Sequence, residues 1–303
     1  MQIYLPIAEM SIEIEAIFFL GAFVGLVSGV FGVGGGFLTT PLLIFMGIPS
    51  AVAVGTQGSQ LVASGLSGVM GYWKRSHVDF LIGTIMLLGG FLGTVIGVFF
   101  FQFIKLMGQI DLIISLLYII LLGSIGIMML FESVMTTVKK KTMKSEFNQL
   151  KSRGFISKLP YKMRFPRSKL YISIFVPGGI GFVSGFLVAT MGVGGGFLLV
   201  PAMIYILGMP PLLVAGTSLF QIIFTSAFAT IMHATFSNSV DIFLAFFLIL
   251  GGVIGAQIGV KASKYVTGVK ARVILALLVL GVCTQLGIQL FLNPSDIFVM
   301  VEK

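Results

Sequence analysis

Ten apolar runs, parted by short polar punctuation and one basic loop, leave this chain room for little besides membrane crossings. They cover residues 14–31, 37–48, 51–73, 79–104, 111–131, 170–191, 197–209, 211–236, 240–260 and 272–292. A crossing takes about 20 predominantly apolar residues. Composition points the same way: 57% of the 303 side chains are hydrophobic and 10% charged, whereas soluble domains carry roughly 25% charge. A soluble globule is excluded. A transmembrane barrel would need alternating segments of about 10 residues, and FLIGTIMLLGGFLGTVIGVFFF (80–101) does not alternate. The chain reads as an all-α integral membrane protein.

The formal charge of +9 looks like a nucleic-acid signal until its position is considered. Eleven of nineteen Lys and Arg residues lie between Glu132 and Lys169, against two acids, Glu132 and Glu146. Short loops rich in Lys and Arg stay cytoplasmic, so residues 132–169 are expected inside, with 139–169 available to anionic headgroups and no nucleic acid as partner. The single cysteine, Cys283, lies in an apolar run and reads as a packing residue. No disulfide, metal site or cofactor is expected. No Lys or Arg precedes the first apolar run, so that run is expected to be retained rather than cleaved as a signal peptide.

The order of segments is five, a loop, and five, with a short second member in each half. Direct comparison shows a duplication: GVGGGFLTTPLLIFMGIP (32–49) against GVGGGFLLVPAMIYILGMP (192–210), VGTQGSQ (54–60) against AGTSLFQ (215–221), and GGFLGTVIG (89–97) against GGVIGAQIG (251–259). Upstream, GLVSG (25–29) matches GFVSG (181–185), which implies four extra residues in the second copy. Residues 1–131 and 170–303 are thus read as two transmembrane repeats around the basic loop 132–169.

Loop charge sets their relative orientation. Lys74 and Arg75 follow the third segment of the first copy, whereas HATFSNSVD (233–241) carries neither Lys nor Arg; after the fourth segment, Lys105 stands against Lys261, Lys264, Lys270 and Arg272. Equivalent loops prefer opposite sides, as in inverted repeats with an odd number of crossings each. Ser76 and Lys158 are therefore expected in the cytoplasm, and Ser237 and both termini outside. The second segments, at about 12 residues, rise only about 18 Å. Broken or re-entrant helices are expected there, giving eight to ten crossings.

Gly34, Gly35 and Gly36, with Gly194, Gly195 and Gly196, interrupt the apolar sequence within membrane depth. Irregular backbone survives there only inside protein or along a cavity. Consecutive glycines leave N–H groups uncovered, and each cluster opens a helix whose positive dipole end faces the break. Matched interruptions in two repeats point to a midplane binding site. Packing between helices is the competing explanation, and it is preferred for Gly89, Gly90, Gly93 and Gly97 and for Gly251, Gly252, Gly255 and Gly259, which have helical spacing. By that reasoning Gly93→Ala is expected to be milder than Gly35→Ala.

None of the ten acids falls in the middle of an apolar run, which disfavours a carboxylate-based cation site. Asp79 and Asp241 are expected to cap helices. Neutral donors recur instead: Thr56 and Thr217, Gln57 and Ser218, Gln60 and Gln221, and further out Ser28 and Ser184. Donors without formal charge suit a tetrahedral oxyanion that must bind and leave, so the first three of these pairs join the glycines as substrate-binding candidates. His233 is expected to be an interfacial hydrogen-bonding residue, and Tyr72, Trp73 and Tyr171 interface anchors.

GLVSGVFGVGGGFLTTPLLIFMGIP and its second copy resemble the signature of the TauE/SafE sulfite-exporter family of membrane permeases, over nearly the whole chain. The resemblance implies a transporter of small sulfur-containing anions, such as sulfite, sulfoacetate or related sulfonates, in the prokaryotic cytoplasmic membrane. An anion channel is an alternative that sequence does not separate from a carrier. A membrane enzyme or assembly factor would need an acid–base or metal constellation, and two isolated histidines, His77 and His233, do not supply one.

Overall fold

A computed structural model describes residues 2–74, 76–139, 160–263 and 269–292. Residues 140–159, including Lys158 and most of the basic loop, lie outside the described residues. Each half opens with a β-hairpin, β1 (Gln2–Leu5) with β2 (Met10–Glu13), and β3 (Lys162–Phe165) with β4 (Leu170–Ser173). The first half continues with α1 (Ile14–Phe31), α2 (Gly36–Phe45), α3 (Ser50–Trp73), α4 (Phe80–Leu106) and α5 (Ile110–Lys139). The second follows with α6 (Phe175–Met191), α7 (Gly196–Tyr205), α8 (Pro211–Met232), α9 (Ile242–Ala262) and α10 (Val269–Leu292). Among the described residues the regular structure is these ten α-helices, the two hairpins and one π-turn, His233–Ser237.

Six helical stretches are long and apolar enough to cross a membrane: 14–31, 80–106, 110–131, 212–237, 242–262 and 273–290. The other long helices have physical reasons to differ. α3 spans 24 residues but is the most polar, with 15 of them buried in protein, and α6 has 17 residues. α2 and α7, at 10 residues each, rise about 15 Å and do not reach across the hydrocarbon. Pro41 and Pro201 sit inside these short helices.

The repeats interlock. α1 packs along α9, and α4 along α6; α3 packs on α8, and α5 on α10. Gly21, Gly25 and Gly29 meet Leu248, Gly252 and Ala256 in ascending order, so α1 and α9 are parallel. Gly55, Gly65 and Gly68 of α3 instead meet Ser239, Ile223 and Leu219 in descending order. Equivalent helices α3 and α8 therefore run antiparallel, which is the geometry of an inverted repeat: a pseudo-two-fold axis lies across the helices rather than along them.

Two features of the duplication emerge only here. The hairpins are part of it, with LPIAEM (5–10) equivalent to FPRSKL (165–170) and left-handed residues at Glu9 and Lys169, φ 53° and 52°. Four-residue strands sharing little beyond Pro6 and Pro166 carry no recognisable periodicity, so this copy was hidden within the basic stretch. The second feature corrects the alignment upstream of GVGGG. Gly181 and Gly185 meet Met86 and Gly90, as Gly21 and Gly25 meet Leu248 and Gly252. GFVSG is thus equivalent to the turn before GLVSG, and the second copy has no four-residue insertion. Small residues every four positions match equally well one turn out of step. Ser28 and Ser184 are consequently not equivalent; their counterparts are Val188 and Val24. A residue that the second copy does gain, between Gln221 and Asp241, falls where α8 ends in the π-turn, as expected for a one-residue insertion into a helix.

Antiparallel α3 and α8 place Ser76 and Ser237 at opposite ends of the molecule. Ser237 is buried at 5% exposure, so Asn238, its exposed neighbour, is the better probe. In a Cys283→Ser background, Asn238→Cys is expected to react with an impermeant maleimide on intact cells and Ser76→Cys only after lysis. Equal labelling of both on intact cells would overturn the orientation.

Candidate functional site

The candidate site begins where α1 ends. Gly32 closes the helix in the left-handed region, φ 69°, its N–H donating to Ser28 O at 2.8 Å. Gly34 and Gly35 follow at φ 87° and 70°, and Gly192, Gly194 and Gly195 repeat the path at 70°, 75° and 64°. Side chains rarely adopt these angles, so the glycines are required by the backbone itself. The Gly36 and Gly196 N–H groups donate within their own turns, to Gly34 O and Gly194 O. Among the described residues, the N–H groups of Val33, Gly34 and Gly35, and of Val193, Gly194 and Gly195, have no acceptor. Such runs of free N–H groups form anion-accepting concavities.

The two turns sit on one another. A Cβ on Gly36 would meet Gly192 O, Val193 C and Gly194 N within 3 Å, one on Gly196 would strike Val33 O, and the Phe37 and Phe197 rings stack at 5.0 Å. The N-termini of α2 and α7 are thereby juxtaposed across the pseudo-two-fold axis. Around them, the third helix of each repeat lies against the turn of the other. Ser218 of α8 donates to Gly32 O at 3.0 Å. At the equivalent place, the Gln57 amide of α3 is pressed against Gly192, and Thr40 Oγ1 is 3.1 Å from where a Gly192 Cβ would be. Tyr118 donates to Met191 O at 2.7 Å and holds the approach to this turn.

Pairing separates these side chains into two groups. Thr56 Oγ1 accepts from Asp241 N, and Thr217 Oγ1 from Asp79 N, each at 2.9 Å. Both threonines tie the repeats together at the ends of the molecule and are not brought to the glycine turns. Gln60 is also engaged: its Oε1 accepts from Thr39 Oγ1 at 2.9 Å and its Nε2 donates to Gly21 O at 3.3 Å. Its counterpart Gln221 has Leu199 in place of Thr39, stands against Gly90 of α4, and keeps both amide atoms unpartnered. Gln57 is likewise unpartnered at Nε2 and Oε1, while Thr40 Oγ1 has the Tyr118 hydroxyl beside it, and all three residues are fully buried. A buried polar group without a partner costs about 1–3 kcal/mol. Thr40 was not singled out by the sequence because Val200 replaces it in the second copy, as Ser218 replaces Gln57. Asymmetry between the copies was the available signal.

Surrounding residues have structural tasks. The Asp79 and Asp241 carboxylates cap α4 and α9, each accepting from two backbone N–H groups. Each also receives a hairpin from the other repeat's series: Ser168 Oγ on Asp79, and Ile7 N on Asp241 at 3.0 Å. His233 is 1% exposed, with Nε2 2.8 Å from Ala189 O, and so lies in the protein interior rather than at the interface. Tyr72 is likewise buried, at 8%, while Trp73 and Tyr171 are exposed as expected of anchors. Gly93 and Gly97 of α4 and Gly255 and Gly259 of α9 are packing faces, but tighter than spacing implied. A Cβ at Gly93 would strike Phe182 O of α6. The expectation that Gly93→Ala is mild is therefore reversed.

The family model described as "Sulfite exporter TauE/SafE" matches residues 17–286. "Probable membrane transporter protein YunE" of Bacillus subtilis is 28% identical, covering 81% of this chain and 86% of its own. "Probable membrane transporter protein YjnA" of the same organism is 28% identical over 82% and 89%. A "Probable membrane transporter protein" of Xylella fastidiosa is 30% identical over 79% and 80%. No solved structure matches the chain.

Proposed function

Because this chain belongs to the sulfite exporter TauE/SafE family and is a multi-pass membrane transporter, we propose that it is a secondary permease for a small sulfur-containing anion. Sulfite, sulfoacetate and other sulfonates are the class intended, crossing the cytoplasmic membrane of a prokaryote. The solute binds near the midplane, between the facing glycine turns. The carrying observation is the pair of GVGGG turns packed on each other between inverted repeats, with the unpartnered Gln57 amide and the Thr40 hydroxyl beside them. A helix terminus contributes about 0.3–2 kcal/mol to an anion, and neutral hydrogen bonds add about 0.5–1.5 kcal/mol each. Several together hold a solute without trapping it.

Every candidate side chain is at most 1% exposed, so the centre is closed to both sides in this conformation. Entry requires one repeat to shift against the other. An inverted pair supplies two such openings related by the pseudo-two-fold axis, which is the basis of alternating access. The cytoplasmic side is that of the basic loop, where residues 139–169 face anionic headgroups; Lys162, Arg164 and Lys169 are exposed on the second hairpin. Both termini are then outside.

Purified protein in liposomes, tested with labelled sulfite, sulfoacetate, taurine and sulfate in turn, is expected to give saturable counterflow with at least one sulfur oxyanion. Unitary currents without counterflow would make it a channel. No movement of any of the four would overturn the reading.

A further inference from the structure

Resting on the reading of this centre as the solute site, we propose that the preferred solute is a monoanion that also carries a hydrogen-bond donor, which Gln57 receives through Oε1. A carboxamide has a donor end and an acceptor end, and Gln57 leaves both without a partner while fully buried. A fully deprotonated oxyanion offers acceptors alone. It would pair Gln57 Nε2, the Thr40 hydroxyl and the free glycine N–H groups, and leave Gln57 Oε1 buried and unpaired. An anion bearing one O–H, whether a protonated oxyacid or a hydroxylated sulfonate, completes both ends. Charge supports the same class. Among the described residues no Lys or Arg is buried. The positive potential at the centre comes from the α2 and α7 N-termini, roughly half an elementary charge each. Together they balance one negative charge, not two.

Second-repeat chemistry explains why one residue governs this preference. At the pseudo-symmetric place Ser218 donates to Gly32 O and Val200 replaces Thr40, so no second carboxamide faces a glycine turn. The unpartnered Ser184 hydroxyl beside Gly195 can donate to an anion as well as accept, and so imposes no donor requirement. Gln221 keeps its own unpaired amide, but against Gly90 rather than at a glycine turn.

The test compares two monoanions of nearly equal shape, 2-hydroxyethanesulfonate and 1-propanesulfonate, by the thermal stabilisation each confers on the detergent-purified protein, with sulfite alongside. The wild type is expected to bind the hydroxylated anion at least about tenfold tighter. Gln57→Met is expected to reduce that ratio below about twofold, whereas Thr40→Val weakens both anions alike and leaves the ratio standing. A second measurement needs no variant: stabilisation by sulfite should fall as pH rises from the hydrogensulfite to the dianion range, while that by 1-propanesulfonate stays level. Equal affinities in the wild type, a preference that survives Gln57→Met, or sulfite binding that ignores its protonation would each overturn the donor requirement while the transport reading stands. Failure of all three anions to bind would instead remove the site itself.

Discussion

Gln57→Met is expected to stabilise the solute-free protein and, at the same time, to weaken its response to a solute. The substitution keeps the length of the side chain and removes a buried amide with neither end paired, relieving about 1–3 kcal/mol. The paired control is Gln60→Met, three residues along the same helix. Gln60 accepts from Thr39 and donates to Gly21 O, so its loss removes two buried hydrogen bonds and should destabilise by about 0.5–1.5 kcal/mol for each, with Thr39 Oγ1 keeping Gly35 O as acceptor at 3.4 Å. Gln221→Met should follow Gln57→Met in stability, since its amide is also unpartnered. Thermal unfolding of the three variants without solute checks the signs. If Gln57→Met unfolds as early as Gln60→Met, the amide is part of the scaffold and not kept free for a ligand. Groups held at a cost in stability are characteristic of functional sites.

The second large effect belongs to the helix seams. Gly93→Ala adds a methyl that lands on Phe182 O, and Gly255→Ala one that lands on Ala22 O. Backbone cannot move aside as a side-chain tip does, so α4 must separate from α6, or α9 from α1. Overpacking costs typically about 1–3 kcal/mol and sometimes more, and these seams join the two repeats along their length. Little folded protein is expected from either variant by size-exclusion chromatography. Gly287→Ala on α10 meets nothing within 4 Å and should gain up to about 1 kcal/mol from helix propensity. Comparable yields from Gly93→Ala and Gly287→Ala would refute the close approach. Gly35→Ala, at φ 70° and facing Val24, will also fold poorly, which is why glutamines and not glycines are the informative positions for binding.

Much of this architecture is legible from residues alone. Hydropathy over 20-residue windows, loop charge and the repeated GVGGG are local properties, and they suffice for an all-helical membrane protein of two inverted halves with a broken segment in each. Asp79 and Asp241 announce their caps because capping acts within three residues. The hairpins escape, since four-residue strands on the rim of a membrane protein show no strong period. The alignment of GLVSG with GFVSG misleads, because glycines one helical turn apart present the same pattern to a neighbour.

What the sequence by itself determined is the set of groups available at membrane depth: glycines that bend the chain, neutral hydroxyls and carboxamides, and no carboxylate. Which of them remain free was decided by the tertiary structure. Thr56 and Gln57 are adjacent, and Gln60 and Gln221 are equivalent by repeat. Yet Thr56 is taken by Asp241 N, Gln60 by Thr39 and Gly21, and Gln57 and Gln221 by nothing. The outcome turns on partners as far as 185 residues away in the chain and on single differences between the copies, such as Thr39 against Leu199. A hydrogen bond needs its donor and acceptor within about 3 Å, a condition set by how distant helices approach and invisible in any local stretch of chain.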